Sequence, residues 1–315
     1  MTKAQDSRAK PIHKLKQLDV LFVLLVGTLA TIYHLVGDIT FWGEWITIWP
    51  SVLWAVVFLP NMLWKRTWFA IALMVIFVLT ITEIPVRWKA PPTANGEKIR
   101  IAIWNVCGNP DAISALRRYE PDIVLLQESS GPNNLWPGYH WIGSFDPGTL
   151  SRFPIKQLPT KKIGRWQEPQ LLKLTLASGR KVLLCNVRLM LPGCVLQMVT
   201  PFDENPILNH RIRVEQYQRL AEIINETSSN MGIKSVILCG DFNVPANVRS
   251  LGPIRNILED PWKTAGVGWG GTAPEFFPLV RIDQCWISKD ISATRIEVLD
   301  VKGSDHRPIL VDLVL

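Results

Sequence analysis

Histidine and cysteine are scarce in this chain, with five of each, and they form none of the clusters that hold zinc. The odd cysteine count argues against a disulfide framework. Cys107, Cys185, Cys239 and Cys285 sit in or beside strand-like apolar runs, where cysteine behaves as a small hydrophobe. No Lys/Arg-rich run marks a groove for a nucleic-acid backbone. Internal repeats and low-complexity segments are absent, which excludes a repeat array and a long disordered tail. The net charge is +7. Nine Lys/Arg and six Asp/Glu precede residue 98, and twenty-five and twenty-one follow it, so the excess is +3 and +4 and neither part is strongly basic. So mild a balance tolerates an anionic substrate or a membrane surface without selecting one.

Long apolar runs, by contrast, are present and confined to the start. A polar tail, Met1 to Gln17, carries Lys3, Arg8, Lys10, Lys14 and Lys16. Three apolar runs follow, at about 20–37, 45–64 and 67–86. Each is long enough to cross a ~30 Å hydrocarbon layer as a helix. Tryptophans 42, 45, 49, 64, 68 and 88 gather near the run ends, as an interfacial belt does. The connector Asp38 to Glu44 has no Lys or Arg, whereas the next one holds Lys65 and Arg66. The expectation is a multi-pass cell-membrane protein with a cytoplasmic N-terminus. Three crossings then leave everything after Val86 outside the cytoplasm. Residues 1–97 are thus expected to be tail, three transmembrane helices and linker, and 98–315 a single catalytic domain.

The second part alternates as a globular α/β protein does. Strands are expected at Ile99 to Val106, Ile123 to Leu126, Gly148 to Phe153, Leu171 to Leu176, Lys181 to Leu191, Ser235 to Cys239, Arg281 to Ile287, Arg295 to Leu299 and Ile309 to Leu315. Helices are expected from an Asp111 N-cap through Tyr119 and from Arg211 to Ile224. Trp262 to Gly271 reads as a surface loop, His210 as solvated, and Arg152 and Arg281 as paired with carboxylates. Many strands with few helices suggest two packed sheets flanked by helices.

The strand ends carry the chemistry. Lys-Ser-Val-Ile-Leu-Cys-Gly-Asp-Phe-Asn, Lys234 to Asn243, is a buried strand that delivers Asp241 and Asn243 to one spot. Taken alone, it also reads as an Asx-rich turn whose side chains cap local backbone. Other ends offer Asn105, Glu128, and Asp305 with His306, and Asp283 lies mid-strand. Such carboxylates and amides suit a hard, oxygen-loving cation. A carboxylate-held His beside them suits proton transfer or stabilisation of an oxyanion. Together they suit metal-assisted phosphoester hydrolysis.

Trp104-Asn105-Val106, Leu126-Gln127-Glu128, Gly240-Asp241-Phe242-Asn243, Arg281-Ile282-Asp283 and Ser304-Asp305-His306 resemble, in order and spacing, the motifs of the endonuclease/exonuclease/phosphatase superfamily, and Leu150 to Pro154 resembles a further segment common there. The resemblance covers Ile99 to Leu315. It implies the DNase-I-like fold, a four-layer α/β/β/α sandwich, and Mg²⁺- or Mn²⁺-dependent hydrolysis. By matching position it implies that Glu128, Asn105 and Asp305 ligate the metal and that Asp241 orients or deprotonates water. Asn243 would bond the phosphate or nucleophile, and His306, oriented by Asp283, would contact the scissile phosphate. Val187-Arg188-Leu189 departs from the Thr-His-Leu of many members. Arg188 suits bracing a phosphate but is too basic for a general acid. The expected activity is that of a membrane-anchored phosphodiesterase or nuclease acting outside the cytoplasm. The alternatives are a phospholipid or sphingolipid phosphodiesterase and an inactive binding or scaffold protein. Expected partners are therefore a phosphoester substrate, nucleic acid or phospholipid, and the membrane.

Overall fold

The computed structural model describes residues 36–47, 94–143, 146–193 and 205–315, with positions 21, 28 and 195. Two sheets form the centre. The first has six strands in the order β10-β11-β1-β2-β4-β3 and the second five, β5-β6-β7-β8-β9. In chain order these are β1 Lys98–Asn105, β2 Ile123–Gln127, β3 His140–Ile142, β4 Gly148–Ser151, β5 Ile155–Gln157, β6 Gln170–Thr175, β7 Lys181–Arg188, β8 Ser235–Asp241, β9 Asp283–Ile287, β10 Ser292–Val298 and β11 Ile309–Val314. Pairings are antiparallel except β1 with β2 and β7 with β8.

The alternation of side chains explains the layers. On β2, Ile123 and Leu125 enter the core between the sheets while Val124 and Leu126 face the outer core with Ile113 and Leu116. On β8, Ile237 and Cys239 point inward, and Val236 and Leu238 meet Tyr217, Leu220 and Ile224. Each strand is buried on both faces, which is why its run is apolar without a gap. One outer layer is the long helix Pro206–Met231 and the other a 3-10 helix, Ala112–Tyr119. The two-sheet α/β sandwich expected from the sequence is therefore present.

Several local expectations need correction. The long helix extends beyond Arg211 to Ile224 at both ends. The Asn205 side chain caps the N–H groups of Ile207 and Leu208 with Pro206 at the first turn, and Gly232 ends the helix in the left-handed region. Asp111 does not cap the 3-10 helix; its carboxylate accepts from Asn133 instead. Trp262 to Gly271 is not simply a surface loop. Asp260 Oδ1 accepts the Trp262 N–H and opens a short helix, Trp262–Ala265, and Trp262 is buried beneath Arg281. Asp283 stands at the start of β9, not within it, because its N–H and that of Ile282 both donate to Thr272 Oγ1. Cys107 is exposed, beyond the end of β1.

The described part of the N-terminal region packs on the sandwich. A short 3-10 turn, Gly37–Ile39, leads into helix α1, Phe41–Thr47; the long helix Pro206–Met231 is α2. Arg213 of α2 has no solvent exposure. Its guanidinium lies 2.5 Å from Glu44, 3.2 Å from Asp38 and 2.8 Å from the Tyr217 hydroxyl. Asp38 also accepts from the backbone and hydroxyl of Ser250. His210 is buried, not solvated, between Glu44 and the carbonyl of Ile39. Burial alone would lower the Arg213 pKa, but Tyr217, Glu44 and Asp38 outweigh it and raise it. Gly43 fits because the carbonyl of Gly37 lies where a Cβ would stand. A chain cut at residue 98 loses this ionic core. Replacing Arg213 by Ala leaves Asp38 and Glu44 buried without their cation. The full chain should lose about 3–5 kcal/mol in denaturant unfolding; a loss under about 1 kcal/mol would show that the cluster behaves as surface charge.

Among the described residues no helix is long and apolar enough to cross a membrane. The runs expected to do so, 20–37, 45–64 and 67–86, lie outside the described residues except at positions 21, 28, 36, 37 and 45–47. The last three form the end of α1.

Candidate active site

β1, β2 and β8 all end at one edge of the sandwich, because β1 and β2 run parallel and β8 follows the same arrangement with β7 in the facing sheet. Asn105 and Asp241 finish β1 and β8, and their side chains meet across the gap: Asn105 Nδ2 donates to Asp241 Oδ2 at 3.0 Å. The same nitrogen donates to Glu128 Oε1 at 2.9 Å, just past β2. Three strand ends therefore share one amide.

Both strand ends use the same local device. Asp241 Oδ1 accepts the N–H of Asn243 at 2.9 Å, and Asn105 Oδ1 accepts that of Cys107 at 3.0 Å. Each is an Asx turn that bends the chain and fixes the side chain at once, so capping local backbone does not take Asp241 away from the site. Asn243, Cys107 and Glu128 all have positive φ, an uncommon conformation for residues with a side chain. Gly240 does not end the strand. Its φ is +139°, and a Cβ there would stand 1.9 Å from the Val187 carbonyl, so only glycine lets β8 run on to Asp241.

The loop that carries Ser304 and His306 is pinned from several sides. Ser304 Oγ donates to the Asn105 carbonyl and accepts from the His306 N–H, and Trp104 Nε1 donates to the His306 carbonyl at 2.8 Å. His306 Nδ1 lies 2.8 Å from Asp283 Oδ2. Ligand atoms of Asp241, Asp283 and His306 all fall within 4.8 Å of one another. Burial pushes the Asp241 carboxyl up to about 7; His306 opposes that rise and the Asp283 charge adds to it. On His306 burial works downward, but the charge and hydrogen bond of Asp283, with Asp241 and Asp305 behind, raise the imidazole to about 10. At neutral pH the group is an imidazolium between two carboxyls, one of which can take a proton.

The trio is a compact group of donor atoms, yet its imidazole Nδ1 is committed to Asp283. The oxygen donors expected for a cation lie beside it. Glu128 is half-buried and Asp305 exposed, and both border Cys107, whose thiol is pushed up by burial and by these two carboxylates. The residues fit a hard divalent ion: the donors are oxygens, buried Asp283 Oδ1 has no hydrogen-bond partner among the described residues, and Glu128, Asp241, Asp283 and Asp305 outnumber the cations His306 and Arg188. Asn105 keeps one lone pair of Oδ1 for such an ion. Asn243 differs from expectation, since both amide hydrogens are engaged, one on the Leu189 carbonyl and one on Asp241 Oδ2. In this geometry it positions Asp241 and donates to nothing else.

Arg188 enters the same site from the end of β7. Its Nη2 lies 2.7 Å from Glu128 Oε1 and its Nη1 3.1 Å from Asp146 Oδ2. Asp146 Oδ1 in turn accepts the Glu128 N–H at 3.0 Å. Asp146 thus steadies both the strained Glu128 and the arginine. Nothing in the motif pattern singles it out; an Asp-Pro-Gly turn before a strand is the only local signal. A cation this close to Glu128 opposes a second cation there. Arg188→Met should tighten Mn²⁺ binding about tenfold in calorimetry, and unchanged affinity would place the ion away from Glu128.

Comparisons with known proteins place the fold and the family. Residues 102–306 match the model of the Endonuclease/Exonuclease/phosphatase family. The mannosyl-6-phosphatase of Bacteroides thetaiotaomicron superposes with a TM-score of 0.54 at 17% identity, covering 69% of this chain and 100% of that one. The human Nocturnin catalytic domain with bound sulfate gives 0.53 at 17%, covering 70% and 96%. Truncated Caenorhabditis elegans TDP2 gives 0.51 at 16%, covering 69% and 98%. No curated protein matches the chain. With the fold, the strand-end motifs and a family match spanning most of the sandwich, the chain belongs to the endonuclease/exonuclease/phosphatase family.

Proposed function

We propose that the protein is a divalent-metal-dependent phosphoester hydrolase, that it acts on a phosphodiester, and that it works from a membrane anchor on the side of the bilayer opposite its N-terminus. The observation that carries the hydrolase reading is the meeting of Asp241, His306 and Asp283 within 4.8 Å, beside Asn105, which links Asp241 to Glu128.

Asp241, ionised above about pH 7, takes the proton of the attacking water. The water oxygen forms a new bond to phosphorus, the ester P–O bond breaks, and the leaving oxygen is protonated by solvent. His306 stays an imidazolium through this range and stabilises the negative charge gathering on the phosphoryl oxygens, held in place by Asp283. Arg188 supplies a second fixed positive charge. Glu128, Asp305 and Asn105 would hold Mg²⁺ or Mn²⁺, which supplies Lewis-acid neutralisation of the phosphoryl group when bound.

The anchor rests on the basic tail, the three apolar runs and the uneven placement of Lys and Arg between them. Exposed Phe276 and Phe277 lie on the loop whose Glu275 N–H donates to the Asp305 carbonyl. Aromatics at that place suit stacking on a nucleobase, which supports nucleic acid as the phosphodiester. The test is a divalent-dependent activity panel on the detergent-solubilised full chain with plasmid DNA, RNA, sphingomyelin and bis-p-nitrophenyl phosphate. Hydrolysis of the last with Mn²⁺ and none with chelator supports the class, and the preferred natural substrate names the phosphodiester. Metal-independent turnover, or none on any substrate, rejects it.

A further inference from the structure

The connector between the first two apolar runs is built into the hydrolase domain, and this decides which face of that domain meets the membrane. Asp38 and Glu44 are each 1% exposed, and both are bound to Arg213, which is more than 160 residues away in sequence. Around this polar centre several large apolar side chains reach the surface. Val36 at the end of the first apolar run, Ile39 and Trp42 of the connector, and Ile207 and Leu208 of the first turn of α2 are exposed, Trp42 at 74%. Phe41 packs edge-on against both Trp42 and His210, which joins the connector to that turn. These five are among only eleven large hydrophobic residues exposed in the described structure, so apolar exposure is concentrated here.

We infer that the face formed by the connector and the first turn of α2 rests on the lipid bilayer surface. The inference rests on the membrane-anchored reading above. The occupant is argued from the chain itself: residues 20–37 lead into the connector and 45–64 lead out of it, and each is an apolar run of bilayer-crossing length. A segment that must lie at the membrane surface is clamped to the domain by a buried ionic centre, so the domain is seated on the surface and does not swing on the linker. An exposed Trp beside such runs suits the interfacial region, where its apolar ring and polar N–H are both accommodated. The clamp also places the connector and the hydrolase domain on one side of the bilayer, which requires an even number of crossings between residues 48 and 93. The face lies at the catalytic end of the sandwich: Ser250, bound to Asp38, closes the loop that begins at Asn243.

The test uses the full chain in nanodiscs, on a C107S/C194S background, with a bimane fluorophore on W42C, I207C or K234C. Lys234 is exposed and precedes β8, at the end opposite Asp241. Lipids carrying a nitroxide near the headgroup should quench positions 42 and 207 at least twofold and leave 234 unchanged. Equal quenching at all three positions overturns the surface assignment. Alkaline carbonate extraction separates the two readings: release of the chain from vesicles overturns the anchor and this surface with it. Retention with unquenched 42 and 207 overturns the surface alone.

Discussion

Asp241→Asn lowers kcat on bis-p-nitrophenyl phosphate by about 10³-fold, with KM within about threefold of wild type. The substitution keeps the shape and removes the carboxyl that burial pushes up to about 7. Its structural cost is mixed. Asp241 accepts from the Asn243 N–H on one oxygen and from Asn105 and Asn243 amides on the other, and an Asn side chain loses one of these acceptors. Against that, a buried charge disappears, which offsets part of the loss. The variant should therefore unfold near the wild-type temperature and bind substrate while failing to turn it over. Wild-type kcat would remove Asp241 from the chemistry altogether.

His306→Gln should cost about 10²- to 10³-fold in kcat and, more tellingly, should reshape the pH profile. In the wild type, activity rises as Asp241 loses its proton near pH 7 and falls as His306 loses its own near pH 10, leaving a plateau between. Without His306 the alkaline limb vanishes. The acid limb moves to higher pH, because the imidazolium is what holds the Asp241 carboxyl down against burial. Stability follows the same logic. A histidine raised from 6.5 to about 10 contributes fully below pH 6.5 and progressively less as pH climbs to about 10. A profile that merely drops in height, with both limbs unmoved, would mean that the two groups do not sense each other.

The parts of the molecule readable in the sequence were those set by local pattern. Strands buried on both faces betray themselves as unbroken apolar runs, and polar residues that follow such runs, Asn105, Glu128 and Asp241, are the ones the fold brings together. Turn chemistry was visible too, although Asn205-Pro206 and Gly232 mark the ends of α2 more faithfully than its hydrophobic spacing. Hidden from the sequence was everything decided by distant partners. Asp283 starts β9 because Thr272, eleven residues earlier, takes its N–H. Asp146 gains its role only when a loop brings it against Glu128 and Arg188. His210 looks like a solvated helix residue until Glu44 and Ile39 are placed on it. A connector without basic residues reads as a topology signal alone, because nothing local reveals that its acids close on Arg213.

The central claim is that carboxylates from separate strands converge on a divalent ion and an imidazolium to break a phosphoester. Its most direct test is the Mn²⁺ dependence of p-nitrophenol release by the chelator-stripped full chain, wild type against Glu128→Gln. The convergence predicts activity restored by the ion in the wild type and a loss of at least about 10²-fold in the variant at every Mn²⁺ concentration. Equal turnover in chelator, or a Glu128→Gln enzyme as fast as wild type, would contradict it.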